Sequence, residues 1–163
     1  MSRKRLWAPW RLGYISQARK EKVSAKCLFC DKGRSKADLR NRVTARGRYC
    51  FCLLNLFPYT NGHTMIAPYR HVADLESLKQ EEWLELFELA RQTMKRMRKA
   101  LSPHGYNLGI NLGRAAGAGI PGHLHLHVVP RWVGDTNFMP VFSDTRVISQ
   151  SLDSAHQLLR RPS

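Results

Sequence analysis

Between residues 123 and 129 the chain alternates strictly: His123, His125 and His127 on one parity, Leu124, Leu126 and Val128 on the other. Side chains of a strand point to opposite faces in turn, so this pattern predicts a strand with one apolar face and a row of imidazoles about 6.5–7 Å apart on the other. A second pattern has a longer period. Trp83, Phe87, Ala90, Met94, Met97 and Leu101 recur at spacings of 4, 3, 4, 3 and 4, the apolar stripe of a helix packed on a core. Ser77 followed by Gln80 predicts a capping box at its start. Glu81, Glu82, Glu85 and Glu88 precede Lys95, Arg96, Arg98 and Lys99, as the helix dipole prefers, and Pro103 and Gly105 end the segment.

Around these two elements the chain reads in shorter pieces. Tyr49–Leu56 and His63–Pro68 are β-prone runs joined by a turn over Phe57–Gly62, where Pro58 and Asn61-Gly62 break the pattern. Tyr106–Leu112 predicts a further strand, Gly113–Gly122 a glycine-rich loop, and Val147–Leu159 a C-terminal helix. Residues 27–47 read as a polar connection, and residues 1–26 as an irregular arm whose two tryptophans, Trp7 and Trp10, pack on the domain. The expected class is α+β, with an antiparallel sheet, one long helix and a C-terminal helix.

At 163 residues the chain is long enough for one domain with its own core. It is expected to divide into a basic arm over 1–48, carrying the Cys27–Cys30 motif, and a catalytic core over 49–163. The formal net charge of +15 is concentrated in that arm, where 15 Lys/Arg stand against 3 Asp/Glu. Such an arm suits a polyanion, either nucleic acid or a polyphosphate, or serves as a solvated basic face. Charge alone does not choose between these. No apolar run reaches membrane-span length, and the basic N-terminus lacks the apolar region of a signal peptide. A cytoplasmic protein with reduced cysteines is expected.

Gly113–Gly122 holds four glycines besides Arg114 and leads directly into the histidines. A glycine-rich loop lets backbone N–H groups approach phosphate, and imidazole is a competent nucleophile at phosphorus. Cys27-Leu28-Phe29-Cys30 is either a redox pair, half of a zinc site completed by histidines such as His71, or two buried thiols. Cys50 and Cys52 share a strand face and read as small buried hydrophobes.

The segment HLHLHVV (123–129), with LWAPWRLGYI, CLFC, NLFPYTNGHTMIAPYRHVADL, NLGINLGRAAG and HLHLHVVPRWVGDTNF, resembles the histidine triad family over nearly the whole chain. Within that family it is similar to the bacterial branch containing diadenosine tetraphosphate phosphorylases. The resemblance implies a homodimer with a mostly five-stranded antiparallel sheet in each subunit, continued from one subunit to the other, and cleavage of dinucleoside polyphosphates through a nucleotidyl-histidine. It assigns His125 as nucleophile, His127 to the phosphoryl and leaving oxygens, and His63 to the same pocket. It places Asn55 at the ribose, Leu53 and Met65 at the base, and Asn111 beside the phosphates. It implies structural zinc on Cys27, Cys30, His71 and His123. One departure stands out: no side-chain donor occupies Gly119-Ile120-Pro121-Gly122, which leaves backbone amides such as that of Gly119, His127 and Arg114 for the phosphates. Phosphate is the expected acceptor. The alternatives are hydrolysis, nucleoside phosphoramidase activity, or a nucleotide- or RNA-binding regulator using the basic arm.

Overall fold

The computed structural model describes residues 27–136 and 148–160. Nine elements follow in order: α1 (Leu28–Arg34), α2 (Asp38–Asn41), β1 (Val43–Arg46), β2 (Cys50–Leu54), β3 (Thr64–Pro68), α3 (Gln80–Leu101), β4 (Gly105–Ile110), β5 (Leu126–Arg131) and α4 (Leu152–Arg160). A 3-10 turn, Arg114–Ala116, lies in the loop between β4 and β5. The strands form one antiparallel sheet in the order β1-β2-β3-β5-β4. This is the expected α+β architecture. No described helix is long and apolar enough to cross a membrane.

β2 and β3 carry no charged residue and are buried at every position, as central strands covered on both faces must be. Cys50, Cys52, Leu54 and Ile66 point into the large core beneath α3, with Leu124, Leu126 and Val128. Phe51, Leu53, Met65 and Ala67 join Phe29 and Val43 in a smaller cluster on the opposite face. At the turn into β3, Gly62 has φ +77°, and a Cβ there would stand 2.7 Å from Leu101 Cδ1. The positive φ favours glycine, and a side chain there would also have to displace the end of Leu101.

Three expectations need correction. Residues 27–47 are no simple connection, for they form α1, α2 and the edge strand β1. These pieces are four to seven residues long and charged, too short for a period to emerge. Arg46 ties them together, with bonds to Asp38 Oδ1 (2.7 Å) and the Gly33 carbonyl (2.8 Å). The helix α3 begins at Lys79 rather than Ser77, since the Glu82 carboxylate accepts from the Lys79 N–H. Its buried face runs through Glu82, Leu86, Leu89, Ala90, Thr93 and Met97, while Trp83 and Phe87 are 38% and 44% exposed. Glu82 is tolerated inside because Arg70 grips both its oxygens, at 2.9 and 2.6 Å.

The third correction concerns the triad. Regular pairing begins only at Leu126, and His123 lies in a bend, yet the alternation of faces extends back through both earlier histidines. Trp7 and Trp10 lie outside the described residues.

Candidate active site

Hydrogen bonds fix the tautomer of each histidine on the triad face. His125 donates from Nδ1 to the carbonyl of His123 at 2.8 Å, which leaves Nε2 with its lone pair. At His63, Nδ1 accepts from the Tyr59 backbone N–H (3.1 Å) and faces the Asn55 amide nitrogen (3.3 Å). Its Nε2–H therefore donates to His127 Nδ1 at 2.8 Å. The neutral His127 then carries its own proton on Nε2. A lone pair on His125 and a proton on its neighbour thus stand side by side, the two rings edge-on with centroids 4.8 Å apart. Burial pushes the His127 imidazole down to about 4, the neighbouring His125 adding to it, and burial likewise lowers His125 against the hydrogen bond to His123.

His123 points into a different cluster. Its Nε2–H donates to the Pro68 carbonyl at 2.9 Å, turning the Nδ1 lone pair toward Cys27 Sγ (3.2 Å) and Cys30 Sγ (3.7 Å). His71 Nδ1 lies 3.4 Å from Cys30 Sγ. All four donor atoms fall within 4.8 Å of one another. Zinc held tetrahedrally by two thiolates and two imidazoles separates sulfur from nitrogen by about 3.5 Å. The donor set and its spacing fit that metal. Burial pushes His123 down to about 4, with the Pro68 bond opposing and His71 and His125 assisting, which favours the neutral imidazole.

The remaining expected residues divide into two groups. Leu53 and Met65 lie on the triad face, Leu53 fully covered, with Met65 opposite His127 in the ladder. Asn55 sits beside His63, and its Oδ1 accepts from the Phe57 N–H at 3.0 Å. Asn111, Arg114 and Gly119 belong to the segment following β4, where the Asn111 amide donates to the Gly117 carbonyl at 3.4 Å rather than to a histidine. Gly122 closes this loop against the His71 ring.

Two residues were missed by sequence reasoning. Tyr59 lies over the His63 ring at 4.6 Å as well as capping its Nδ1. Phe29, wholly buried, packs on His125 at 4.7 Å and on His123 at 5.1 Å. Its position between the two cysteines was the available signal. Cys50 and Cys52 are structural thiols, pushed by burial up to about 12 and about 11.

With this geometry in place, comparison with known proteins is informative. The HIT domain matches residues 36–133. The chain is 38% identical over 160 residues to an AP-4-A phosphorylase of Mycobacterium tuberculosis, covering 95% of this chain and 82% of that one. It is 30% identical over 119 residues to the asymmetrical bis(5'-nucleosyl)-tetraphosphatase of Schizosaccharomyces pombe, covering 73% and 62% respectively. Among solved structures, a Zn-bound histidine triad family protein from Mycobacterium smegmatis superposes with TM-score 0.67 at 28% identity, covering 85% of this chain and 93% of that one. Paired tautomers, a four-donor cluster and these similarities converge: the chain belongs to the histidine triad (HIT) family and is similar, over most of its length, to AP-4-A phosphorylase.

Proposed function

We propose that the protein is a nucleotidyl transferase that cleaves dinucleoside polyphosphates of the diadenosine tetraphosphate class and passes the nucleotidyl group to phosphate. The observation that carries this reading is the His125 tautomer, with Nδ1–H committed to a carbonyl and Nε2 free to attack. In the first step the Nε2 lone pair forms a bond to the α-phosphorus, and the bond from that phosphorus to the bridging oxygen breaks. The leaving oxygen departs as the terminal phosphate anion of ATP, and the His127 Nε2–H donates a hydrogen bond to it. In the second step an anionic oxygen of inorganic phosphate attacks the phosphorus, and the phosphorus–nitrogen bond breaks, returning its electron pair to His125 Nε2. Diadenosine tetraphosphate thus gives ATP first and ADP second.

His63 holds His127 in the required tautomer, and Asn55 supports His63 while facing the ribose. Met65 forms the floor for the base, with the fully covered Leu53 packed behind it rather than touching it; Asn111, Arg114 and the Gly119 amide serve the phosphates. Zinc on Cys27, Cys30, His71 and His123 is structural and fixes the segment that presents His125.

The subunit also suits a homodimer. β4 pairs only with β5 among the described strands, and Leu108 on it is exposed, as are Trp83 and Phe87. A second β4 would continue the sheet antiparallel and cover this edge. Leu108→Lys should then shift sedimentation from dimer to monomer.

The deciding assay incubates diadenosine tetraphosphate with and without phosphate. The proposal expects ADP and ATP only with phosphate, and a transient acid-labile label on His125. Products unaffected by phosphate favour a hydrolase or phosphoramidase, and binding without any label favours a nucleotide-binding regulator.

A further inference from the structure

A nucleophilic imidazole needs its plane fixed as well as one nitrogen. His125 is anchored by the hydrogen bond from Nδ1 to the His123 carbonyl, and one such bond holds a point rather than an orientation. Functional groups are held to about 10–20° by packing of their supporting neighbours. Here a flat neighbour is present. The Phe29 ring lies 4.7 Å from His125 at 35° and 5.1 Å from His123 at 43°. His127 meets the same imidazole edge-on, at 66°.

Phe29 is itself immobilised. It is 0% exposed and packs in the cluster of Val43, Phe51, Leu53, Met65 and Ala67. It sits on α1, a helix of seven residues whose N-cap, Cys27, makes no side-chain capping bond. A helix this short has no stability of its own, so its place depends on what holds it. Cys27 and Cys30 flank Phe29 and carry the two sulfurs of the four-donor cluster. The same turn that offers two thiols to a metal therefore sets an aromatic ring against the proposed nucleophile. With no exposed surface, that ring presents no face to a ligand.

We propose that Phe29 is a positioning residue for His125, a wedge held by the Cys27–Cys30 turn that keeps the imidazole plane aligned for attack. This rests on the reading of His125 as nucleophile. Phe29→Met keeps the volume and removes the flat ring. The variant should retain zinc and keep KM within about twofold, while single-turnover labelling of His125 slows about 10- to 100-fold. In spectra of ¹⁵N-histidine-labelled protein, without nucleotide, the distinct Nδ1–H and Nε2 signals of His125 should broaden toward an average. Phe29→Tyr, which restores a ring, should recover the labelling rate. If Phe29→Met sheds its metal, Phe29→Leu carries the same comparison. An unchanged labelling rate in the zinc-retaining variant overturns the inference. So does a raised KM at unchanged labelling rate, which would give the ring to the nucleotide pocket. A wild-type protein that never labels breaks the His125 reading; labelling indifferent to Phe29 breaks only the wedge.

Discussion

The two faces of the sheet are built on different terms. Toward α3 the strands present Cys50, Cys52, Leu54, Ile66, Leu126 and Val128 to a continuous apolar core. On the other face a smaller cluster around Phe29, Phe51 and Leu53 adjoins His123, His125 and His127. Burial on the first face supplies stability through apolar area. On the second, burial is spent lowering imidazole basicity and fixing tautomers. The same strand serves both, because a period of two sends Leu124, Leu126 and Val128 one way and the histidines the other. Substitutions should therefore separate chemistry from stability by parity.

The largest separation is expected at His125. Replacing it with Asn should abolish nucleotide labelling while leaving the thermal midpoint near wild type. Leu86→Ala, on the core side, should do the reverse, costing about 2–5 kcal/mol in urea unfolding with the labelling rate per folded molecule preserved. A labelled His125→Asn protein would erase the distinction. Next comes His127→Gln, where labelling should slow about 10²–10³-fold without disappearing, because on the proposed reading the residue supplies a hydrogen bond to developing charge rather than the bond to phosphorus.

Cys27→Ser sharpens the comparison from another side, since the four-donor cluster lies on the chemical face yet has a structural task on the proposed reading. Elemental analysis should find about one zinc per wild-type chain and none in the variant, with a lowered thermal midpoint. Full zinc in Cys27→Ser would remove that residue from the site.

The smallest effect is a pH slope. Burial holds His127 near 4 in the folded protein, against 6.5 for the free group. The groups that face it are His63, His125 and Tyr59. Below pH 6.5 the unfolded chain takes up a proton that the folded one refuses, so stability present above 6.5 is lost as pH falls toward 4. His127→Gln should show a shallower decline of the urea midpoint across that window than wild type. Equal slopes would mean that His127 is not held neutral.

The parts legible in the sequence were those with a clean period. The triad showed its two faces, although His123 and His125 precede the regular ladder. α3 was legible as a helix, but its face was misjudged by about one residue's turn. Glu82 and Thr93 occupy core-facing positions through pairing with Arg70 and Cys52, and polar letters there concealed the buried side. Trp83 and Phe87, the most apolar letters, lie on the exposed flank and meet edge-to-face at 4.9 Å. In α1 and β1 the order comes from tertiary bonds such as those of Arg46, which no local pattern encodes. The Cys27, Cys30, His71 and His123 cluster was found because family resemblance supplied the grouping that spacing left open. Phe29 was signalled only by its place between Cys27 and Cys30, and Tyr59 by nothing in its local pattern, because their contacts with the triad are made across the chain.

The strand order has a consequence for how the molecule opens. β1, β2 and β3 form one chain-local meander over Val43–Pro68, and β4 with β5 form a second antiparallel pair. Among the described strands the ladder between the two runs where Thr64–Ile66 lies against Leu126–Val128. His63 stands on one side of that seam, and His125 and His127 stand on the other. Such non-local pairing closes after the local hairpins. A fluctuation that parts β3 from β5 would leave both hairpins formed and dissolve the His63–His127 hydrogen bond. A nucleotide bridging the seam would act as a suture, slowing amide hydrogen exchange in β3 and β5 more than in β1.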